Sequence, residues 1–191
     1  TSSILKYTNV MFNYCLSFNQ LVSITNMDGV LDMTSMFQNC RLLNKQILLG
    51  DQTPDGSGNV WQINIPSVSS LNLLFAACYA FNNGETTNTG EIPLKIRTGS
   101  ALTTLVKIFA ESNFNQSLTI SNTTGVKDMT SAFQQCWRLN KAIVLGDQTP
   151  DGSGNVWQIN LPSVTTLLSA FSGCSAFNNG ETTNTGAIPL K

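Results

Sequence analysis

The sequence predicts an α/β solenoid of six helix–strand modules, with a short-stranded parallel sheet and β-hairpin insertions. Three observations support this prediction. The chain repeats itself after 96 residues, a shorter motif recurs inside each repeat, and apolar residues change from helical spacing to strict alternation after each motif. A helix followed by a strand at this short length makes successive strands parallel and stacks each module on the next.

The longer repeat divides the chain into two units. The segment DMTSMFQNCRLLNKQILLGDQTPDGSGNVWQIN begins at Asp32 and returns as DMTSAFQQCWRLNKAIVLGDQTPDGSGNVWQIN at Asp128. The segment FNNGETTNTG also occurs twice. We therefore expect three modules in residues 1–95 and three in residues 96–191, stacked as one continuous solenoid.

The shorter motif is a Phe, a Cys three residues later, then Phe or Leu, then Asn, as in FQNCRLLN from Phe37. The copy FAESNFN from Phe109 is one residue shorter and has Ser112 near the Cys position. Apolar residues before and within the motif follow steps of three and four, which is typical of one face of a helix. The predicted core residues are Phe37, Cys40, Phe75, Cys78, Phe133, Cys136, Phe171 and Cys174.

Short alternating runs after the Asn predict strands at Val22 and Ile24, Ile47 and Leu49, Leu118 and Ile120, and Ile143 and Leu145. One module cannot fold alone. Burying half a dozen apolar side chains contributes on the order of 10 kcal/mol, whereas ordering about 25 residues of backbone costs roughly 25 to 50 kcal/mol. Each module must therefore be covered by its neighbours.

The pattern VLDMTSMFQNCRLLN resembles the BspA-like leucine-rich repeats, and within them the DUF285-type repeat of bacterial surface proteins. The resemblance extends over all six modules. It implies a leucine-rich-repeat-like solenoid that is secreted or attached to a surface and acts in adhesion and protein binding, with no catalytic residues to transfer. The 96-residue period, the insertions and the short module at Phe109 depart from the family's regular pattern.

Composition restricts the classes of function. Only 11% of residues are charged and the formal net charge is −1, which argues against binding to nucleic acid or to anionic membranes. The longest nearly apolar run, residues 71–81, is too short to cross a bilayer. Histidine is absent, which removes the commonest general base and metal ligand. We expect no enzymatic activity and no cofactor.

The cysteines and the asparagines of the motif are predicted to be structural. The five cysteines share one module position, and neighbouring helices would hold them too far apart for disulfides, so we expect five free, buried thiols. The motif asparagines are expected to end the helix or to bond backbone groups of the adjacent coil. They are Asn19, Asn44, Asn82, Asn115, Asn140 and Asn178.

The segment GDQTPDGSGNVWQIN occurs at residues 50–64 and again at 146–160. The preferred interpretation is a β-hairpin with a turn at TPDG. The alternative is a weak calcium loop, although Gln62 stands where an EF-hand has a bidentate Glu. The candidate calcium ligands are Asp51, Asp55, Asn59, Asp147, Asp151 and Asn155.

Candidate binding residues lie in this segment and in the NNGETTNTG loops. Trp61 and Trp157 either pack over the module or are exposed for contact with a sugar or a protein. Asn83 and Asn179 begin polar loops at predicted Asn-Gly turns.

The predicted function is a non-enzymatic scaffold for adhesion or assembly, located extracellularly or on a cell or virion surface. Its expected partners are a protein or glycan surface. Since neither end has a polar capping module, we also expect end-to-end association or a longer array or filament. The alternatives are a glycan- or protein-binding module that uses the Trp hairpins, and a virion appendage.

Overall fold

Short strands joined by turns make up the fold, and six of them lie in the part of the chain that the structure describes. A computed structural model describes residues 4–52, 60–86, 91–146 and 158–180. The strands form one parallel sheet in chain order, which confirms the predicted short-stranded parallel sheet. They are β1 (Val22–Ile24), β2 (Ile47–Leu49), β3 (Ile63–Ile65), β4 (Leu94–Thr98), β5 (Leu118–Ile120) and β6 (Ile143–Leu145).

Equivalent residues of successive strands lie in line. Val22 pairs with Ile47, and Leu118 pairs with Ile143. The outer residues of β2, β5 and β6 are buried and the central residue is half-buried, as the period of two predicts. Strand β4 crosses the predicted boundary between the two units and pairs with β3 and β5, so the sheet continues from one unit into the next.

Strand β3 shows that the predicted β-hairpin is wrong. Leu49 of β2 pairs with Ile63 of β3 in the parallel direction, whereas the arms of a hairpin are antiparallel. Leu145 pairs with Ile159 in the same parallel way in the second unit. In the first unit the duplicated segment therefore leads into a further parallel strand, β3. No Phe-Cys motif lies between β2 and β3.

The segments predicted as helices are chains of β-turns, and no described residue is helical. In an α-helix every N–H donates to the carbonyl four residues back. Here alternate N–H groups donate three residues back, from Met36 to Met33 at 3.2 Å and from Cys40 to Phe37 at 3.1 Å. The predicted helices are wrong because successive turns also place apolar side chains three and four residues apart.

The remaining N–H groups of each turn chain donate to the next module. The N–H of Ser35 donates to Asn72 O at 2.8 Å, and that of Phe37 to Leu74 O at 3.1 Å. Type II turns require a positive φ at their third residue. Fifteen described non-glycine residues have φ between 50° and 62°, including Ser35 at 59°. Most L-residues disfavour this conformation, so we infer that bonding between modules stabilises it.

A column of phenylalanine rings forms the centre of the core. The rings of Phe12, Phe37, Phe75, Phe109, Phe133 and Phe171 stack in that order, with centroids 5.1 to 5.8 Å apart. The four inner rings are fully buried. The predicted core position is confirmed for Phe37, Phe75 and Phe133, whereas Phe171 is half-buried. This column also crosses from the first unit into the second, at Phe75 and Phe109.

Candidate functional site

The cysteine thiols bond successive modules to one another. Each of four thiols donates to the carbonyl oxygen of the Phe in the preceding module: Cys40 to Phe12 at 3.0 Å, Cys78 to Phe37 at 2.9 Å, Cys136 to Phe109 at 3.0 Å and Cys174 to Phe133 at 2.8 Å. All five cysteines are free, as predicted. Burial is confirmed for Cys40, Cys78 and Cys136, but Cys174 is half-buried. Cys15 is exposed because no described module precedes it.

The buried thiols are poorly suited to nucleophilic chemistry. Burial, together with repulsion from the Cys15 thiol, raises the pKa of Cys40 from 9.0 to about 11. Burial likewise raises the pKa of Cys78. The thiolate is the reactive form of cysteine, and a thiol with a raised pKa stays protonated near neutral pH. The raised pKa values and the hydrogen bonds to carbonyl oxygens indicate a structural role for Cys40 and Cys78.

The motif asparagines form a hydrogen-bonded ladder, and their predicted role in bonding the adjacent coil is confirmed. The side-chain oxygen Oδ1 of each Asn accepts the backbone N–H of the next. The distances are 2.9 Å for Asn19 and Asn44, 2.8 Å for Asn44 and Asn82, 2.7 Å for Asn82 and Asn115, 2.8 Å for Asn115 and Asn140, and 2.7 Å for Asn140 and Asn178.

Asn83 and Asn179 are buried. The expected Asn-Gly turn is present in the first unit, where Asn83 and Gly84 both have positive φ. The Nδ2 group of Asn83 donates to Ile92 O at 2.8 Å, and that of Asn179 donates to Gln158 Oε1 at 2.9 Å. These contacts hold the turn against the chain. Burial thus contradicts the predicted binding role of both asparagines.

The duplicated segment is described only at its ends. Trp61 is half-buried beside the exposed Val60, so its predicted contact role stays a prediction, and Trp157 lies outside the described residues. Asp51 is exposed, and its backbone carbonyl accepts Asn64 Nδ2 at 2.9 Å. The other calcium candidates, Asp55, Asn59, Asp147, Asp151 and Asn155, also lie outside the described residues. In the described ranges no three or more His, Cys, Asp or Glu residues are placed to hold a metal.

A row of exposed side chains varies from module to module. The residue after each motif Cys points to solvent in several modules, and we call this surface the lateral face; it includes Leu16, Arg41, Tyr79 and Trp137. Trp137 is 48% exposed and Tyr79 is 37% exposed. The guanidinium carbon of Arg41 lies 5.7 Å from the centre of the Tyr79 ring, within range of a cation–π interaction.

A polar pocket lies at the shortened module. Its lining includes Asn82, Glu85, Asn113 and Arg138. The short module has one residue, Asn113, where the others have two, and we infer that this difference contributes to the space between the modules on either side. Amide, carboxylate and guanidinium groups offer both donors and acceptors to a ligand.

Sequence reasoning missed this surface because it followed the positions that the modules share. The signal that could have found this surface was a position at which the modules differ. The residue after Cys changes from Leu to Arg, Tyr and Trp between modules, which is expected of a position that packing does not restrict.

Together, the parallel strands, the stacked turns and the ladders form a tandem-repeat arrangement that is compatible with a solenoid. The chain belongs to the family described as Mycoplasma protein of unknown function, DUF285, which it matches over residues 1–90 and 86–185. The resemblance to DUF285-type repeats is thereby confirmed. None of the curated proteins and none of the solved structures compared with the chain matched it. Among the described residues, no helix has the length and apolarity needed to cross a membrane.

Proposed function

We propose that the protein is a non-enzymatic repeat scaffold, displayed extracellularly or on a cell or virion surface, that acts in adhesion or assembly. The observation that supports this proposal is that different positions of the repeat serve stacking and surface exposure. The shared Phe, Cys and Asn positions stack or bond one module to the next, whereas the residue after Cys varies and is exposed in several modules. Such a scaffold presents a changeable surface on a constant core.

The chemistry of the chain favours binding over catalysis. Histidine is absent from the sequence, and the pKa values of the buried Cys40 and Cys78 are raised. A surface with exposed aromatic and Arg side chains is typical of protein contacts. The preferred partner is therefore another protein surface, reached through the lateral face.

Surface display is tested by labelling producing cells with an antibody against the chain, before and after permeabilisation. We expect full labelling of intact cells. Adhesion is tested with beads coated with the wild type or with a Tyr79→Ser, Trp137→Ser double variant, passed over the surface to which the cells attach. The double variant should be retained less than the wild type. Labelling only after permeabilisation would contradict the proposal.

A second candidate function is glycan binding. The observation that favours it is the lining of the polar pocket, which includes Ala80 and Arg138, the residues that follow Tyr79 and Trp137, because aromatic faces pack on sugars while amides bond hydroxyls. A glycan array probed with the wild type, with Tyr79→Ala plus Trp137→Ala, and with Trp61→Ala plus Trp157→Ala would distinguish the two surfaces. Absence of any glycan signal would leave the protein scaffold as the better proposal.

A further inference from the structure

We propose that Asn83 and Asn179 are latent sites of deamidation, and that the asparagine ladder keeps both sites closed while the modules remain stacked. The two residues form the only Asn-Gly pairs in the sequence, at 83–84 and 179–180. Deamidation of such a pair is a reaction within the chain, followed by the addition of water. Opening the ladder at one of the two turns would therefore modify that turn alone.

The reaction takes place between the Asn side chain and the backbone nitrogen of the following glycine. The nitrogen of Gly84 loses its proton and attacks Cγ of Asn83, the Cγ–Nδ2 bond breaks, and Nδ2 takes up a proton and leaves as ammonia. The succinimide ring that results adds one water and opens to isoaspartate or aspartate. Glycine favours the ring closure because it has no Cβ to restrict the backbone.

The turn at this position favours the reactive pair. The N–H of Glu85 donates to Asn82 O at 3.1 Å, and the residues between them, Asn83 and Gly84, have φ of 54° and 91°. Positive φ at both central residues is characteristic of a type I′ turn, for which Asn-Gly is strongly preferred. The equivalent pair of the second unit also has positive φ, at 50° and 84°. The fold therefore needs Asn-Gly at both places and must protect it by other contacts.

Asn44, in the preceding module, holds the first turn in place. Its Oδ1 accepts the N–H of Asn82 at 2.8 Å and the N–H of Gly84 at 3.1 Å, and its Nδ2 donates to Glu85 O at 2.9 Å. The N–H that must lose its proton is therefore bonded to an oxygen, which would repel the lone pair of a deprotonated nitrogen. Asn44 thus opposes both the loss of the proton and the movement of the Gly84 nitrogen toward Cγ.

The leaving group of the reaction is also held. Nδ2 of Asn83 donates to Ile92 O at 2.8 Å and to Pro93 O at 3.2 Å, and the side chain is fully buried. These bonds fix the amide, and burial keeps water from it. Deamidation would replace the amide by a carboxylate, which is costly to bury without a partner. A turn that has been modified once would therefore not close again.

The second unit repeats this arrangement with different ladder residues. Oδ1 of Asn140 accepts the N–H of Asn178 at 2.7 Å and the N–H of Gly180 at 3.2 Å. Nδ2 of Asn179 donates to Gln158 Oε1 at 2.9 Å. Each Asn-Gly turn is thus held by its own ladder residue from the preceding module, so that the two sites can be opened separately.

The test measures deamidation at each site of the full chain by peptide mapping with mass spectrometry, during incubation at one mildly alkaline pH. The samples are the folded wild type, the wild type unfolded in urea, and the variants Asn44→Ala, Asn140→Ala and Asn115→Ala. Circular dichroism first shows that the variants fold. Asn115→Ala is the matched control, because within the described residues the side chain of Asn115 bonds the N–H of Asn140 and neither Asn-Gly turn.

We expect both sites to react slowly in the folded wild type and fast in urea. One net hydrogen bond corresponds to roughly a tenfold change in a local opening equilibrium, so Asn83 should react at least about tenfold faster in Asn44→Ala than in Asn115→Ala. Asn179 of the same molecule should be unaffected, and Asn140→Ala should show the reverse.

Three results would overturn the proposal. The first is an equal rate in the folded and the urea-unfolded wild type, a comparison that decides even where a variant does not fold. The second is an equal rate at Asn83 in Asn44→Ala and in Asn115→Ala. The third is acceleration of Asn83 and Asn179 together by Asn44→Ala, since this would show that general unfolding, and not the local contact, controls the reaction.

Discussion

Replacing Phe75 by Ala should destabilise the protein about twice as much as replacing Phe171 by Ala. Phe75 is fully buried, and its ring centre lies 4.3 Å from Phe81, 5.6 Å from Phe37 and 5.3 Å from Phe109. Phe to Ala changes in a closed core cost about 3 to 5 kcal/mol. Three ring contacts place Phe75 at the upper end of that range, at roughly 4 to 5 kcal/mol.

Phe171 occupies the same motif position but is only partly buried and stacks on two rings, Phe133 at 5.1 Å and Phe177 at 4.9 Å. Part of the space left by its removal opens to water, so the expected loss is about 2 kcal/mol. The comparison isolates the covering module, since the residue and the substitution are the same.

The measurement is equilibrium unfolding in urea, followed by circular dichroism, with both variants made in the wild-type chain. The free energies of unfolding are compared at a common denaturant slope. Equal losses at the two positions would refute the reasoning, because they would mean that the neighbouring module contributes little to the burial of the ring.

Three further predictions follow from single contacts. Asn44→Ala removes three hydrogen bonds to the next module and should cost about 1 to 3 kcal/mol in urea unfolding, whereas the same change at an exposed Asn should cost little. Gly50→Ala should destabilise more than Gly84→Ala in thermal melts. Both glycines have positive φ, but only at Gly50 would a Cβ collide with a backbone carbonyl oxygen, that of Asn64, so equal losses would count against this account. Folding raises the pKa of Cys40 from 9.0 to about 11, so the folded chain keeps a proton that the unfolded chain releases in that interval. The free energy of unfolding should therefore be steady below about pH 9 and fall as pH rises toward about 11. Cys40→Ala should reduce this fall, and an unchanged pH profile would show that the thiol does not contribute to it.

The sequence was sufficient to predict strands β1, β2, β5 and β6, the inner core phenylalanines and the asparagine ladder, but not strand β4 or the parallel pairing of β3. The alternation of apolar residues at Ile47 and Leu49 indicates a strand, because one face of a short strand must be buried. Stacking was also required by energetics, since a lone module buries too little apolar surface. These features depend on which residues recur and at what spacing, and the sequence gives both directly.

The sequence does not distinguish a helix from a chain of turns, or a hairpin from a parallel strand. Steps of three and four at Met33, Met36, Phe37 and Cys40 suit a helix face and a chain of turns equally well. The two differ in where the N–H groups donate, and that depends on the adjacent module. Likewise, the TPDG signal predicts a turn but does not fix the direction in which the chain continues.

The candidate site was missed at Tyr79 and Trp137 for a related reason. Repetition draws attention to shared positions, which are those that the core requires. Surface function is expected at the positions where modules differ, and the tryptophan that was selected, Trp61, lies in a segment that is identical in the two units.

Strand β3 has a geometrical consequence for the shape of any long assembly. Over one 96-residue period, from β2 to β6, the sheet passes through four strand spacings, because β3 enters without a phenylalanine module, whereas the aromatic column from Phe37 to Phe133 has only three ring spacings. Four strand spacings of about 4.8 Å exceed three ring spacings of 5.3 to 5.8 Å. The sheet side of this period is therefore the longer one, which favours a bend with the strands on the outer, convex side. A string of such units would follow an arc or a superhelix, and its radius would be set by how often the extra strand recurs.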